Sequence, residues 1–246
     1  MNITTGMRLD QELVVRGLVE SRAKARRSIE SKKVVVNGQV EAKPARLVHE
    51  IDEIEITEQD KFVSRSGEKL DGVLRAYPLE IRGKICLDVG ASTGGFTDCL
   101  LQRGAKKIYA IDVGHGQLNG KLANDERVIS MEGINARYLE IETFSDAFEV
   151  IAIDVSFISL KLILPAVLNL AAEKADLIAL IKPQFEVGKD KVGSGGIVRE
   201  ETHRIAAVES IKDNMNSFAG WQVKATMEAT VTGSDGNQEY LLWAKK

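Results

Sequence analysis

The sequence predicts an α/β protein: a mainly parallel sheet covered by helices on both faces, preceded by a small α+β module of different composition. Two observations carry this expectation. Beyond residue 80, short apolar runs alternate with amphipathic segments, namely Ile85-Cys86-Leu87, Ile108-Tyr109-Ala110-Ile111, Val128-Ile129-Ser130, Val150-Ile151-Ala152-Ile153 and Leu177-Ile178-Ala179-Leu180-Ile181. Strands and helices alternating at this spacing build a parallel sheet. Ahead of them, residues 1–60 contain no Phe, Trp or Tyr, although the chain has 7 Phe, 4 Tyr and 2 Trp. The asymmetry places a domain boundary between a module of residues 1–60 and a larger domain of residues 61–246.

Composition narrows the class further. With 246 residues, 44% hydrophobic, 28% charged, 21 Gly and 4 Pro, the chain is globular rather than disordered or fibrous. Two cysteines, Cys86 and Cys99, are too few for a disulfide framework or a four-cysteine zinc site and fit a reducing compartment. The longest uncharged stretch, Leu162 to Ala172, has 11 residues and contains Pro165 and Asn169, short of the ~18 to 20 needed to cross a bilayer. Met1 to Gly6 carry no basic region followed by an apolar run, so a cytoplasmic protein without a membrane partner is expected.

In the first module, a helix over Leu9 to Val15 packs Leu9, Leu13 and Leu18 inward. Ser21 is a good N-cap for a second helix through Glu30, whose Ala25 and Ile29 share one face. Val34-Val35-Val36-Asn37-Gly38-Gln39-Val40 reads as a hairpin, since an Asn-Gly turn suits two successive positive φ angles. Ile51-Asp52-Glu53-Ile54-Glu55-Ile56 alternates as a further strand. The formal net charge of −3 hides a segregation: Arg16 to Lys33 sum to +5, whereas Glu41 to Asp60 hold seven acids against Lys43 and Arg46. Basic charge is therefore concentrated on one surface, as a phosphate-binding face or as an ordinary solvated helix.

Arg8-Leu9-Asp10, Gly17-Leu18-Val19, Ser21-Arg22-Ala23-Lys24-Ala25 and Val34-Val35-Val36-Asn37-Gly38 make residues 7–56 resemble the S4-like RNA-binding module. The resemblance implies binding of structured RNA through the basic helix face and hairpin, by Arg8, Arg16, Arg22, Lys24, Arg26, Arg27, Lys32, Lys33 and Asn37. The lack of aromatics independently argues for reading phosphates and shape rather than stacking bases.

In the second domain, ligands of a parallel α/β sheet bind beyond the carboxyl ends of the strands, where the strand order reverses. After the first run stands Asp88-Val89-Gly90-Ala91-Ser92-Thr93-Gly94-Gly95-Phe96, a tight glycine turn that lets a ligand approach the backbone. Its spacing fits neither Gly-x-Gly-x-x-Gly nor Gly-x-x-x-x-Gly-Lys-Ser/Thr, so neither a dinucleotide nor a phosphate-cradling loop is supported. Asp112 ends the second run, 22 residues beyond Gly90, placed to accept from ribose hydroxyls. Together these look like the S-adenosylmethionine-binding motifs of class I methyltransferases, with a Rossmann-like sheet. Asp88, Gly90, Ala91, Ser92, Thr93, Gly94, Gly95, Phe96 and Asp112 become cofactor residues on that likeness, and Asn135, after the third run, is placed along the adenine pocket.

Asp154 and Lys182 end the fourth and fifth runs, so both are expected to face one crevice, and a lysine after a buried strand is costly as an idle cation. Lys69 lies in Val63-Ser64-Arg65-Ser66-Gly67-Glu68-Lys69-Leu70, where Ser66 reads as the cap of a helix with Leu70, Val73 and Leu74 inward; Glu239 begins a terminal strand, Glu239-Tyr240-Leu241-Leu242-Trp243, after the turn Gly233-Ser234-Asp235-Gly236-Asn237. Lys69, Asp154, Lys182 and Glu239 resemble, in order and context, the Lys-Asp-Lys-Glu tetrad of FtsJ-like RNA 2'-O-methyltransferases. With the S4-like module and Lys182-Pro183-Gln184-Phe185-Glu186, nearly the whole chain resembles the TlyA (haemolysin A) family of ribosomal RNA 2'-O-methyltransferases.

The resemblance implies an enzyme that methylates a ribose in ribosomal RNA of the ribosomal subunits, on cytidine, with S-adenosylmethionine as cofactor and no metal. Lys182 is the expected base, Lys69 a neighbouring cation that contacts the target nucleotide, and Asp154 and Glu239 orienting partners. A lysine is a poor base at its ordinary pKa of ~10.4 and a better one when desolvated beside a second cation. Lys189 and Lys191 sit in a glycine-rich, basic stretch ahead of Arg199 that reads equally as an RNA-ordered lid or a plain loop, and Arg65 joins them as an RNA contact. Cys86 and Cys99 read as core fillers; His49, His115 and His203 are too scattered to nominate. The competing expectations are a non-catalytic ribosome-binding or assembly factor, a membrane-lytic protein, and methylation of a base or of another RNA.

Overall fold

A computed structural model of the chain describes residues 6–58, 60–233 and 235–246. The start of the chain through Thr5, and Ser234 of the glycine-rich turn, lie outside the described residues. The chain divides into two compact units, Met1–Lys61 and Phe62–Lys246.

The first unit holds β1 (Met7–Arg8), α1 (Leu9–Val15), α2 (Arg22–Glu30), β2 (Val34–Val36), β3 (Gln39–Glu41), β4 (Leu47–Val48) and β5 (Ile54–Ile56). Ser21 caps α2 by accepting from the Lys24 backbone N–H, and Ala25 and Ile29 are fully buried. The Asn-Gly turn forms with Asn37 at φ 51° and Gly38 at φ 76°, so β2 and β3 pair as a tight hairpin and β5 adds to the other edge of β2. A two-stranded pairing of β1 with β4 carries no sequence signal, because two residues per strand show no periodicity. Two positions differ from the sequence expectation. Leu18 is 40% exposed and Val19 takes the inward position. Ile51 is 91% exposed, and the strand is confined to its last three residues because Asp52 accepts from the His49 N–H and bends the chain before it.

The second unit contains α3 (Ser66–Ala76), β6 (Ile85–Val89), α4 (Gly95–Gln102), β7 (Lys107–Asp112), α5 (Gly120–Ala123), β8 (Val128–Glu132), β9 (Phe148–Ile153), α6 (Leu160–Leu168), β10 (Ala171–Ile181), α7 (Glu201–Asn216), β11 (Gln222–Glu228) and β12 (Tyr240–Lys245). Its seven strands run in the order β11-β12-β10-β9-β6-β7-β8. The five strands from β10 to β8 are parallel, and β12 is antiparallel to both its neighbours. Each face of the sheet carries an apolar layer, one around Leu87, Phe148, Ile151 and Val167, the other around Leu70, Cys86, Phe96 and Leu100. The strand order reverses between β6 and β9, which opens the crevice in which such sheets bind ligands.

Ser66 does not cap α3. Arg65 occupies the cap position and Ser66 is already helical, its hydroxyl bonded to that of Ser64 at 2.8 Å. The serine pair serves packing instead: a Cβ on Gly95 would collide with both hydroxyls, so α3 and α4 approach closely only because Gly95 has none. Glu239 stands one residue ahead of β12, its carbonyl accepting from the Ala229 N–H at 2.8 Å.

Candidate active site

At the reversal point, the Gly90 turn leaves β6 and Asp154 leaves β9, and the Asp154 N–H donates to the Val89 carbonyl at 2.9 Å. Gly90 adopts φ 84°, and a Cβ there would overlap the Asp154 carbonyl, so this crossing requires glycine on two counts. The result is a cleft of about 470 Å³ lined in part by Gly90, Ser92, Asp112, Asn135, Asp154 and Phe157.

Of the expected cofactor residues, Gly90, Ser92, Asp112 and Asn135 reach this cleft. Asp112 accepts from the Ser92 N–H at 2.8 Å and the Gly114 N–H at 2.7 Å, which orients its carboxylate at the end of β7. Asn135 accepts from the Arg137 N–H at 3.0 Å and so starts a short 3-10 turn over Ala136–Tyr138. Ala91, Thr93, Gly94 and Gly95 shape the turn without lining the cleft, and the Phe96 ring, 2% exposed, belongs to the apolar layer beside α4.

Asp88 lies beneath the turn, completely buried. Its Oδ2 accepts from the Thr97 hydroxyl at 2.6 Å, while Oδ1 has no hydrogen-bond partner. Burial, with the Asp154 and Asp112 charges adding to it against the Thr97 bond, pushes its carboxyl up to about 7. Three carboxylates thus converge on the glycine turn, two of them, Asp88 and Asp154, with a buried Oδ1 that accepts no hydrogen bond, and this acceptor set fits a cationic, nucleoside-bearing ligand such as S-adenosylmethionine. A raised carboxyl means that the folded state holds a proton the unfolded chain releases, so this group costs stability above about pH 7 and the cost fades as pH falls toward ~4. Asp88→Asn keeps an acceptor for Thr97 and is therefore expected to melt higher than the parent at pH 8, with the gap closing by pH 4 to 5, as thermal scans of the ligand-free protein across pH would show.

The four expected catalytic residues form two ion pairs. Lys182, at the end of β10, places Nζ 2.7 Å from Asp154 Oδ1 and donates to the Ser156 hydroxyl at 2.8 Å. Lys69, on α3, donates to Glu239 Oε2 at 2.5 Å, with the two side chains only 10% and 4% exposed.

Sequence reasoning missed three residues beside them. Ser156 holds Lys182, and Phe157 is 92% exposed at the cleft rim with φ 64°, a strained conformation for an aromatic residue. Its ring lies 5.2 Å from that of Phe185. Ser156 and Phe157 lie two and three residues beyond Asp154, so extending the strand-end rule by three residues finds them. The third is Glu186, which accepts from the Ser159 hydroxyl at 2.6 Å and the Leu160 N–H at 2.9 Å, anchoring the Lys182-Pro183-Gln184-Phe185 segment to the start of α6. Burial, ahead of those bonds, pushes its carboxyl up.

In the first unit, most of the basic residues are partnered. Arg8 and Arg22 flank the fully buried Asp10, Lys24 pairs with Glu20, Arg26 with Glu30, and Arg27 and Lys33 with Asp60. Arg16 spans Glu12 and the Asp52 and His49 carbonyls, and Asn37 bonds Asp52 and the Glu53 N–H, so both brace the loop before β5. Lys32 is exposed at φ 60°. In the second unit, Arg65 is exposed at the start of α3, and Lys189 and Lys191 are exposed on a 3-10 turn. Among the described residues no helix is long and apolar enough to cross a membrane.

Residues 62–246 match the FtsJ-like methyltransferase family and residues 7–54 match the S4 domain. Over 240 residues the chain is 42% identical to the 16S/23S rRNA (cytidine-2'-O)-methyltransferase TlyA of Mycobacterium tuberculosis, covering 97% of this chain and 89% of that protein. It is also 42% identical over 236 residues to Hemolysin A of Brachyspira hyodysenteriae, covering 96% and 98% respectively. A solved structure from Streptococcus thermophilus superposes with a TM-score of 0.77 at 39% identity, covering 98% of this chain and 89% of that one.

Proposed function

Because the chain belongs to the TlyA (haemolysin A) family and joins an S4 domain to an FtsJ-like methyltransferase domain, we propose that it methylates the 2'-hydroxyl of cytidine ribose in ribosomal RNA. The observation that carries this reading is the pair of lysine–carboxylate contacts, Lys182 with Asp154 and Lys69 with Glu239, the first of them beside a cleft suited to a cationic nucleoside.

When bound, S-adenosylmethionine supplies an electrophilic methyl group on a cationic sulfur. Gly90, Ser92, Asp112 and Asn135 are the residues that would hold it, with Asp112 and Asp154, which line the cleft, matching its positive charge. Lys182, acting in its unprotonated form, takes the proton of the 2'-hydroxyl at Nζ, and Asp154 and Ser156 hold Nζ in place. Lys69, fixed by Glu239, meets the target nucleotide. Positioning is one large contribution open to such a site, since an oriented attack replaces a chance encounter. Phe157 offers an exposed ring at the rim for a base swung out of its stack, and stacking of this kind is tolerant of base identity.

Substrate binding falls to Arg8, Arg22, Lys24, Arg26, Arg27, Lys32 and Lys33 of the S4 domain, with Arg65, Lys189 and Lys191 of the catalytic domain, through phosphates. The carboxylates that partner many of them hold the side chains extended, and RNA phosphates compete for the same guanidinium and ammonium groups. Arg16 and Asn37 contribute by keeping the S4 loop in shape. The substrate is ribosomal RNA within a ribosomal subunit, which sets the reaction in the cytoplasm.

Incubating the protein with methyl-labelled S-adenosylmethionine and separately purified small and large ribosomal subunits tests the whole reading. Label is expected at a cytidine 2'-oxygen in at least one subunit. No label on either RNA, or label on a base, removes it.

A further inference from the structure

A buried amide links the catalytic carboxylate to the basic loop. Asn237, 1% exposed, sits in the turn between β11 and β12, two residues before Glu239. Its Nδ2 donates to the Gly196 carbonyl at 2.9 Å, and its Oδ1 accepts from the Val198 N–H at 3.0 Å. Its own carbonyl accepts from the Gly233 N–H at 2.9 Å. Gly233 in turn lies against the Glu239 carboxylate, where an added Cβ would stand 2.7 Å from Oε1. The segment that Asn237 grips is the carboxyl-terminal arm of the glycine-rich stretch whose other arm carries Lys189 and Lys191. Arg204 of α7 donates to the Val198 and Arg199 carbonyls and so holds the same arm. A primary amide bonded at both ends to the backbone of one loop, inside a turn that packs on Glu239, connects loop and carboxylate through an unbroken chain of contacts.

We propose that Asn237 is a positioning residue: it fixes the Glu239 carboxylate against Lys69 and ties the Lys189 and Lys191 loop to it, so that an RNA backbone engaged by that loop aligns the catalytic pairs. The inference rests on the proposed methyl transfer for its consequence, while the tie itself is read without it.

The test uses the full-length protein with Asn237→Ala and with Asn237→Asp, which has the same size and keeps the acceptor for Val198 but turns an oxygen toward the Gly196 carbonyl. Loss of two hydrogen bonds predicts tryptic cleavage after Lys189 and Lys191 roughly tenfold faster. Misplacement of Glu239 predicts a kcat on ribosomal RNA roughly 30- to 100-fold lower, with the KM for S-adenosylmethionine unchanged. The loss caused by Lys189→Ala/Lys191→Ala is expected to shrink to near nothing in the Asn237→Ala background, because the loop is then already uncoupled. Unaltered cleavage, a native kcat in a folded Asn237→Asp protein, or losses that simply multiply each overturn the proposal. If Asn237→Ala does not fold, Asn237→Asp takes its place in every arm. If the parent protein labels no RNA, the functional reading fails, whereas the cleavage rates still report whether Asn237 ties the loop.

Discussion

Lys182→Arg is expected to fold as the parent does, bind S-adenosylmethionine within about threefold of the parent, and lose methyl transfer by a factor of roughly 10³ to 10⁴, the upper part of the range for general acid–base catalysis. The substitution separates the two things a lysine at this position can do. As a cation, it balances Asp154 at 2.7 Å and donates to Ser156, and arginine retains the charge and the donors. As a base, it has to give up a proton before it can take one from the ribose, and a guanidinium, with its pKa above ~12, does not do so near neutrality. Lys182→Ala is expected to be equally inactive, and it leaves Asp154 facing the cleft without its partner. Since that carboxylate is turned toward the place assigned to a cationic cofactor, binding in the Ala variant is expected to hold or tighten. Single-turnover transfer to ribosomal RNA, alongside calorimetric titration with S-adenosylmethionine, measures both. Substantial turnover by Lys182→Arg assigns the residue an electrostatic role and leaves the base to be found elsewhere.

How much of this was legible in the sequence depends on how local the physics is. The hairpin at Asn37-Gly38 and the cap at Ser21 follow from a few adjacent residues, and both form. The five parallel strands declared themselves as apolar runs, and the rule that ligands sit after such runs pointed to Asp112, Asp154 and Lys182. The pairing of Lys69 with Glu239 is different in kind. These residues are 170 positions apart, and no spacing brings them together; within the sequence, only resemblance to a family joins them. Ser66 shows the opposite error, a correct residue type given the wrong local duty. It sits where a cap is wanted, but the close approach of Gly95 directs its hydroxyl to Ser64 instead.

The basic segment shows where counting charges falls short. A balance of +5 over Arg16 to Lys33 reads as a free cationic face, yet Arg27 and Lys33 share Asp60, and Arg16 is engaged by backbone carbonyls more than 30 residues away. The acids that reverse the sign of the following segment partly supply those partners, so the two blocks of charge are complementary within the module. If RNA phosphates exchange for those carboxylates, as the proposed reading requires, binding is expected to weaken steeply with salt, as affinity measured across a salt series would show.

Lys69→Met is expected to destabilise the protein by roughly 3 to 5 kcal/mol, the usual cost of removing one member of a buried pair. Lost packing is not the cause, because methionine fills nearly the volume of the lysine stem. The cause is Glu239, whose side chain is 4% exposed and faces Lys69 Nζ at 2.5 Å, and which in the variant becomes a buried charge without its counter-ion. The double variant Lys69→Met/Glu239→Leu removes the stranded charge, and is expected to recover most of the lost stability, since well-packed apolar replacements of buried pairs are often neutral or better. Both variants are expected to be inactive. Denaturant melts and methyl transfer measured on the same samples then separate fold from function: a stable, inactive double variant means that the pair is kept for what it does to the ribose, at no gain to the fold. A double variant no more stable than Lys69→Met would instead locate the loss in the packing of α3, and the pair would have to be counted among the contacts that hold the domain together.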